Sequence, residues 1–248
     1  MGVTTPFQTV FAVPMTCDGC VKDISGALHQ LQGITKVEAN LRDQLVAIEG
    51  TAAPSAIVEA IQATGRDAIL RGSGASDSAA VSILETFHTP TSPPPTSASH
   101  HDRLVRGLAR IVQVSPSTTL VDLTLRGVAP GTYHATVREY GNLASGAVSA
   151  GPVWAKGRGV LGTVTVSAAG HGSAFLSHPL QIWEVIGRAL VVSPQRSDEG
   201  APLANDEDTV VGVIARSAGV WDNDKTVCSC TGKTLWEERR EEVGKGML

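Results

Sequence analysis

Four cysteines are the residues of this chain best suited to chemistry, and they lie in two closely spaced pairs. Cys17 and Cys20 enclose two residues, and Cys228 and Cys230 enclose one serine near the other end of the 248-residue chain. No cysteine lies outside these pairs. Paired thiols bind soft metal ions or exchange disulfides, so the sulfur of this chain is placed for chemistry rather than for scattered core packing.

The first pair is open to two interpretations, a soft-metal site and a redox dithiol. A thioredoxin-like pair usually follows a tryptophan and encloses a proline, whereas Met15 and Thr16 precede this pair and Asp18 and Gly19 lie inside it. Two thiolates within reach of one ion suit a soft cation such as Cu(I). Zinc is less favoured, because no further Cys or His stands at a zinc-ligand spacing within the first seventy residues.

The elements around the first pair place it in a loop between a strand and a helix. Residues 7–13 predict the strand. The apolar residues that follow the pair fall on one helical face: Val21, Ile24, Leu28 and Leu31. Cys20 then lies in the first helical turn, where the positive end of the helix dipole lowers a thiol's pKa.

The rest of the first 72 residues completes a small α+β unit. Residues 34–41 and 44–49 predict a hairpin, residues 54–64 a helix that begins with a proline, and residues 66–71 a last short strand. The order βαββαβ predicts a ferredoxin-like split sheet with two helices on one face. We therefore expect a metal-binding domain over residues 1–72.

Residues 73–221 predict an all-β domain. Short apolar runs separated by Gly and Pro occur at residues 79–87, 104–114, 119–126, 132–140, 160–166, 182–192 and 209–215. Many short strands without a long amphipathic helix predict an antiparallel sandwich or barrel. A Pro/Ser/Thr-rich insert at 88–101 cannot build a core.

Residues 222–248 predict a short, mostly irregular tail that holds Cys228 and Cys230. Its charged run at 237–242 predicts a solvated helical turn or a disordered end. In an extended chain residues i and i+2 point to the same side, so both sulfurs can face one ion or one partner disulfide. A disulfide between such near neighbours is strained and therefore a relatively strong oxidant.

Composition excludes two classes of partner. A net charge of −4 and a pI near 6.0 give no reason to expect nucleic acid. The sequence has no run of eighteen apolar residues, so we expect no membrane span, and no N-terminal targeting signal stands out. We expect a cytoplasmic protein, and a fraction in the mitochondrial intermembrane space is left open.

The motif Met15-x-Cys17-x-x-Cys20 in a βαββαβ unit resembles the heavy-metal-associated domain of copper chaperones and copper-transporting ATPases. The resemblance implies that Cys17 and Cys20 hold one Cu(I) and pass it to a partner's thiols by ligand exchange. Met15 is expected to pack beneath the loop rather than to bind copper. Arg66 either offsets the negative charge of the bis-thiolate site or is an ordinary surface charge.

Residues 130–134, 138–142, 149–152 and 185–192 resemble Cu,Zn superoxide dismutase, and the resemblance predicts a Greek-key barrel. The positions of the enzyme's metal-ligand histidines and disulfide carry other residues: Thr136, Arg138, Val153 and Ser193 for histidines, Ala147 and Val211 for the disulfide. His134 alone cannot supply a redox metal site. We therefore expect a barrel that holds no metal and has no dismutase activity.

The same resemblance predicts a docking surface. In superoxide dismutases a turn, an Ile-Gly stretch and the last strand make the dimer contact, and they match Glu139, Tyr140, Gly141, Asn142, Ile186, Gly187, Val213 and Ile214. The resemblance implies that this domain forms a heterodimer with superoxide dismutase by imitating its other subunit. A structural spacer is the alternative, and a homodimer of this chain is left open.

Taken in order, the three pieces are similar to the fungal form of the copper chaperones for superoxide dismutase. The resemblance implies a metallochaperone rather than an enzyme. It would deliver Cu(I) to the copper-free dismutase and, through Cys228 and Cys230, promote formation of that enzyme's disulfide. Two alternatives remain open: a thiol-disulfide oxidoreductase acting on the dismutase, and a copper-buffering protein.

Overall fold

The computed structural model describes residues 5–88, 104–196, 203–220, 222 and 232–244. Cys228 and Cys230 and most of the 88–101 insert lie outside these ranges. The domain boundaries after residues 72 and 221 remain predictions.

The first unit is a four-stranded sheet with two helices. Its elements are β1 (Phe7–Ala12), α1 (Asp18–Gln30), β2 (Ile34–Asn40), β3 (Leu45–Gly50), α2 (Pro54–Gln62) and β4 (Ile69–Ser73). The sheet order is β2-β3-β1-β4, and β1 pairs antiparallel with both β3 and β4. The predicted βαββαβ arrangement is confirmed.

Helix α1 contributes Ile24 and Leu28 to the core of this unit, and α2 contributes Ile57 and Ile61. Burial of each such side chain stabilises the fold by about 1.5–3 kcal/mol. Met15, 2 % exposed, belongs to the same core, which confirms the prediction that it packs beneath the loop.

The last strand of this unit begins later than the sequence predicts, at Ile69 rather than at residue 66. Arg66 and Asp67 belong to the preceding loop, where the Asp67 carboxylate accepts hydrogen bonds from the Ala68 N–H and the Gln62 amide. These side-chain bonds hold the loop and delay the start of the strand.

The second unit is a closed antiparallel barrel of eight strands, confirming the predicted all-β fold. Its strands are β5 (Ala79–Thr86), β6 (Val105–Ser115), β7 (Thr118–Arg126), β8 (Gly131–Val137), β9 (Val160–Val166), β10 (His171–His178), β11 (Ala189–Ser193) and β12 (Val210–Val213). The order is β12-β11-β8-β9-β10-β7-β6-β5, and β12 pairs back onto β5. A short β13 (Ala215–Ser217) also pairs with β5. Closure gives each of the eight barrel strands a partner on both sides.

Two parts of the barrel differ from the sequence prediction. Strand β10 was not predicted, because its residues alternate weakly; it nevertheless pairs with β7 along eight positions. The run 182–192 was predicted as one strand, but it forms a helical turn, α3 (Ile182–Val185), followed by β11. A capping box between Gln181 and Glu184 starts the turn, and Gly187, at φ 82°, ends it in a conformation that favours glycine.

The C-terminal tail contains a helix longer than the predicted helical turn, α4 (Leu235–Gly244). Thr234 and Glu237 form a capping box: the Glu237 carboxylate accepts from the Thr234 N–H at 2.8 Å, and the Glu237 N–H donates to the Thr234 hydroxyl at 3.3 Å. None of the helices in the described ranges is long and apolar enough to cross a membrane.

The two units meet where α2 begins. Asp122 of β7 is 1 % exposed and accepts hydrogen bonds from the Ser55 N–H at 2.8 Å and the Ser55 hydroxyl at 2.6 Å. Because the first N–H groups of a helix have no partner within it, Asp122 satisfies the start of α2 from the neighbouring unit. The Arg110 guanidinium, 3.3 Å away, pairs with the same carboxylate.

Candidate metal centre

The loop between β1 and α1 carries the first cysteine pair and is supported by the neighbouring hairpin. The Val13 N–H donates to the Gln44 carbonyl at 2.9 Å, and the Gln44 amide donates to the Met15 carbonyl at 3.4 Å. With Met15 buried below, the loop is held from two sides.

Both thiols face one another at the start of α1. Cys17 is the exposed N-cap residue, and Cys20 is buried in the first turn, with its N–H donating to the Cys17 carbonyl at 3.0 Å. The two Sγ atoms are 3.6 Å apart, far longer than a disulfide bond, so both cysteines are free thiols. A Cβ at Gly19 would stand in van der Waals contact with the Cys17 sulfur, at 3.4 Å.

This sulfur separation is suitable for a shared metal ion. With metal–thiolate bonds of about 2.3 Å, as for zinc, sulfurs 3.6 Å apart bind one ion at an angle of about 100°. A linear two-coordinate arrangement requires a separation of about 4.6 Å at the same bond length. A rotation of the exposed Cys17 side chain therefore changes the geometry without moving the buried Cys20.

The pKa of the Cys20 thiol is lowered from 9.0 to about 6. The largest cause is the hydrogen bond from the Thr16 backbone N–H, followed by those from the Thr16 hydroxyl, the Arg66 guanidinium and the Cys17 backbone. All of them stabilise the thiolate. Cys20 is therefore mostly ionised at neutral pH, in the form that binds metal.

Arg66 is tied to the site from the loop before β4. Its guanidinium donates to the Asp23 carboxylate of α1 at 3.1 Å and to the Thr64 carbonyl at 3.1 Å, and it hydrogen-bonds the Cys20 sulfur. Of the two interpretations of Arg66, this placement favours the one in which its charge offsets a thiolate site.

In the described ranges, no group of three or more His, Cys, Asp or Glu side chains lies close enough together to hold a metal ion. Within these ranges, the loop between β1 and α1 offers Cys17 and Cys20 as its thiol donors. His29, the nearest histidine in sequence, instead places its Nδ1 2.6 Å from the Ser25 carbonyl within α1.

The barrel positions that match histidine ligands of the dismutase are engaged differently. The Thr136 hydroxyl donates to the Val191 carbonyl at 3.5 Å, and the Ser193 and Thr209 hydroxyls are 2.8 Å apart. Arg138 is 4 % exposed, and burial lowers the pKa of its guanidinium. A buried cation at this position disfavours a second cation nearby.

The two positions that match the enzyme's disulfide lie in one apolar cluster. Ala147 and Val211 pack there with Ala189, Val191 and Leu203. The structure therefore brings together two residues that are distant in sequence, and it joins them by packing instead of a covalent bond.

The predicted docking residues also converge on one side of the barrel. The Ala189 N–H donates to the Tyr140 carbonyl at 3.1 Å, and the Gly187 N–H donates to the Ile214 carbonyl at 2.8 Å. A Cβ at Gly141 would collide with the Gly187 carbonyl, so this approach of turn and loop requires glycine.

Exposure differs among the docking residues. Tyr140 is 56 % exposed and Val213 37 % exposed, whereas the Ile214 side chain is fully buried. Asn142 and Gly187 are exposed, and Glu139, Gly141 and Ile186 are partly buried. Ile214 can therefore support this surface from below but cannot itself contact a partner.

Trp183 is a surface residue that the sequence reasoning missed. It lies on α3 and is 66 % exposed, and together with Glu139 and Ile186 it lines a shallow pocket of about 390 Å³. An exposed tryptophan beside a shallow pocket is typical of an interaction surface. Its signal was hidden because the run 182–192 was predicted as one strand.

Cys228 and Cys230 lie between two described anchors. Before them, the Val220 N–H donates to the Gly74 carbonyl at 2.9 Å, and the Ser76 hydroxyl donates to Asp222 at 2.6 Å. After them, Arg239 of α4 binds Asp67 with two hydrogen bonds of 3.0 and 3.1 Å. The first anchor holds residues 220 and 222 to the segment just after β4, and the second holds α4 to the loop just before β4.

Comparison with known proteins agrees with this arrangement. Residues 9–67 match the model of the heavy-metal-associated domain. The superoxide dismutase 1 copper chaperones of Saccharomyces cerevisiae and Debaryomyces hansenii are 40 % and 42 % identical to this chain, over 100 % and 99 % of each sequence. The human copper chaperone for superoxide dismutase is 34 % identical over 95 % of this chain and 90 % of its own length. The chain belongs to the family of superoxide dismutase copper chaperones.

Proposed function

We propose that this protein carries copper as Cu(I) on Cys17 and Cys20 and delivers it to copper-free Cu,Zn superoxide dismutase. The observation that carries the proposal is the pair of free thiols 3.6 Å apart, one of them with a pKa of about 6. Two soft thiolates on an exposed loop suit Cu(I), and the exposed Cys17 is open to an incoming thiol.

The barrel supplies recognition in this proposal. A reduced, copper-free dismutase subunit docks on the surface formed by Tyr140, Val213 and Trp183, and the result is a heterodimer. Exposed apolar and aromatic side chains around a shallow pocket support this role. The barrel itself contributes no metal chemistry, in keeping with its buried Arg138.

The tail completes the transfer. Cys228 and Cys230 take Cu(I) by ligand exchange, each new copper–sulfur bond forming as an old one breaks, and pass it to the target. When the tail pair is present as a disulfide, exchange with the target's two thiols oxidises them and returns Cys228 and Cys230 to thiols. We place this activity in the cytoplasm, and localisation to the mitochondrial intermembrane space is a separate question for cell fractionation.

Copper transfer under competition tests the proposal. The chain is loaded with one Cu(I) and mixed with reduced, zinc-loaded, copper-free dismutase in the presence of a copper chelator, and dismutase activity is followed. We expect activation by the unaltered chain and its loss in Cys228→Ser/Cys230→Ser. Activation no greater than with chelated copper alone would overturn directed delivery and favour copper buffering.

The same mixture distinguishes the oxidoreductase alternative. With copper rigorously excluded, formation of the dismutase disulfide is followed by thiol alkylation. An undiminished effect without copper would identify a thiol-disulfide oxidoreductase whose copper is incidental. With the tail pair reduced at the start and dioxygen admitted as the oxidant with and without copper, the proposed function predicts that disulfide formation depends on copper loading.

A further inference from the structure

A cavity of about 330 Å³ lies where three parts of the molecule meet. Helix α2 and the loop after it form one wall, strands β6, β7 and β10 of the barrel form the second, and α4 closes the third. Four arginines line it: Arg66, Arg110, Arg126 and Arg239. The candidate metal centre involves only the first of them, Arg66.

Three of the arginines are held in place by carboxylates. Arg110 pairs with the buried Asp122, and Arg239 makes its two hydrogen bonds to Asp67. Arg66 donates to Asp23, outside the cavity lining. These ion pairs fix the guanidinium groups before any ligand arrives, and this fixation reduces the entropy that a ligand has to overcome.

Arg126 is different, because no hydrogen bond or ion pair joins its guanidinium to any other residue that the structure describes. It stands opposite His171 in the register of β7 and β10, so the strand pairing fixes its position at the rim. Burial lowers the pKa of Arg110, and the like charges of Arg239 and Arg126 lower it further. Arg126 and Arg239 therefore each lie near enough to Arg110 for their charges to act on it.

The cavity lining contains fewer carboxylates than guanidinium groups. Asp67 is engaged by Arg239, which leaves Glu59 of α2 as the lining carboxylate without a described ion-pair partner. Glu59 is thus the residue in the wall that opposes an anion, and its effect has the opposite sign to that of Arg126.

We propose that this cavity binds a small oxyanion, a phosphate or a carboxylate, on Arg110, Arg126 and Arg239. Guanidinium groups present paired N–H donors that match the oxygens of both anion types. The volume is sufficient for an anion of metabolite size. A bound anion offsets the like charges that act on Arg110, and it adds a link between the barrel and α4.

Calorimetric titration of the copper-free, full-length chain tests the site. Inorganic phosphate and citrate are the two probes, at ionic strength held constant with sodium chloride. We expect saturable binding of at least one probe, about tenfold weaker in Arg126→Gln. Binding to Glu59→Gln should be severalfold tighter, because the opposing carboxylate is gone.

Arg42→Gln is the matched control. Arg42 is exposed in the β2–β3 turn and does not line the cavity, so this variant changes the net charge as Arg126→Gln does. Its binding should equal that of the unaltered chain. The absence of saturable binding by either probe, or equal weakening in Arg42→Gln and Arg126→Gln, would overturn the proposal. Preference for phosphate or for citrate identifies the class of anion.

Hydrogen exchange provides a second readout. With the bound probe at saturation, the backbone amides of α4 should exchange more slowly, because the anion contacts Arg239. Unchanged exchange of α4 at saturation would contradict the placement of the anion against that helix. Neither measurement involves copper, so failure of copper delivery leaves this result unaffected.

Discussion

The loop between β1 and α1 and the barrel positions that match dismutase ligands differ in the charge and exposure of their side chains. At the loop, Cys17 stays exposed, and the thiolate of Cys20 is stabilised by hydrogen bonds from Thr16 and Arg66. In the barrel, Thr136 is engaged by the backbone and Arg138 is a buried cation. One unit thus offers a soft donor pair that includes an ionised thiol, whereas the matched positions in the barrel carry a hydrogen-bonded hydroxyl and a buried cation.

The largest effect that tests this comparison is on copper affinity. We expect Cys17→Ser/Cys20→Ser to abolish Cu(I) binding by the first unit, because hydroxyls are poor ligands for a soft ion. His134→Ala in the barrel should leave that binding unchanged. Cu(I) competition with a chelator measures both variants in a Cys228→Ser/Cys230→Ser background. Loss of affinity in the His134 variant would mean that the barrel contributes ligands.

The second prediction concerns the junction of the two units. Asp122→Ala removes the partner of both Ser55 and Arg110 and leaves a buried guanidinium without its counter-charge. We expect the free energy of unfolding to fall by about 3–5 kcal/mol. Urea denaturation measures this loss.

Ser55→Ala is the matched change at the same junction, since it removes one hydroxyl and leaves the ion pair intact. It should cost about 1 kcal/mol. Equal effects of the Ser55 and Asp122 variants would contradict the importance of the Asp122 charge.

The third prediction concerns docking. Tyr140→Ala should weaken binding to copper-free superoxide dismutase by about tenfold or more, because exposed aromatic side chains at the centre of an interface contribute most to affinity. Val160→Ala is the control, since Val160 is similarly exposed, at 51 %, but lies on β9 outside the predicted docking residues. Equal affinities of the two variants would place the docking surface elsewhere on the barrel.

The smallest predicted effect is on the Cys20 thiol. Replacing Arg66 with Met removes one of the hydrogen bonds that lower the Cys20 pKa, so the midpoint should rise above about 6. The ultraviolet absorbance of the thiolate, followed against pH in a Cys17→Ser/Cys228→Ser/Cys230→Ser background, measures it, because Cys20 is then the remaining thiol. Arg42→Met provides the control, and an unchanged midpoint in Arg66→Met would remove Arg66 from the site.

The lowered pKa of Cys20 makes the free energy of unfolding depend on pH. A thiol whose pKa is about 6 when folded and 9.0 when unfolded adds stability that is fully present above pH 9.0. That contribution disappears as the pH falls through about 6. Cys20→Ser should therefore flatten the pH dependence of unfolding between these values.

The sequence predicted the elements with strong periodicity. Val21, Ile24 and Leu28 follow the helical period, so α1 and the position of Cys20 in its first turn could be inferred. Strand β10 could not, because its alternation is weak and its pairing with β7 comes from the barrel as a whole. The Thr234–Glu237 capping box was readable, and it would have predicted α4.

Contacts between residues that are distant in sequence could not be predicted from the sequence. Asp122 meets Ser55 across 67 positions, and Arg239 meets Asp67 across 172. No local pattern marks either pair, because each depends on how the two units and the tail pack. The arginine-lined cavity follows from the same packing, so only the structure reveals it.

X-ray absorption of the chain loaded with one Cu(I) tests the central claim most directly, since it identifies the atoms bound to copper. The measurement uses the Cys228→Ser/Cys230→Ser variant, in which Cys17 and Cys20 are the remaining thiols. We expect a spectrum of Cu(I) with sulfur ligands alone from the protein, and its loss when Cys17 and Cys20 are also replaced. Nitrogen ligands from histidine, found while Cys17 and Cys20 are both in place, would contradict a thiolate site and assign copper chemistry to the barrel.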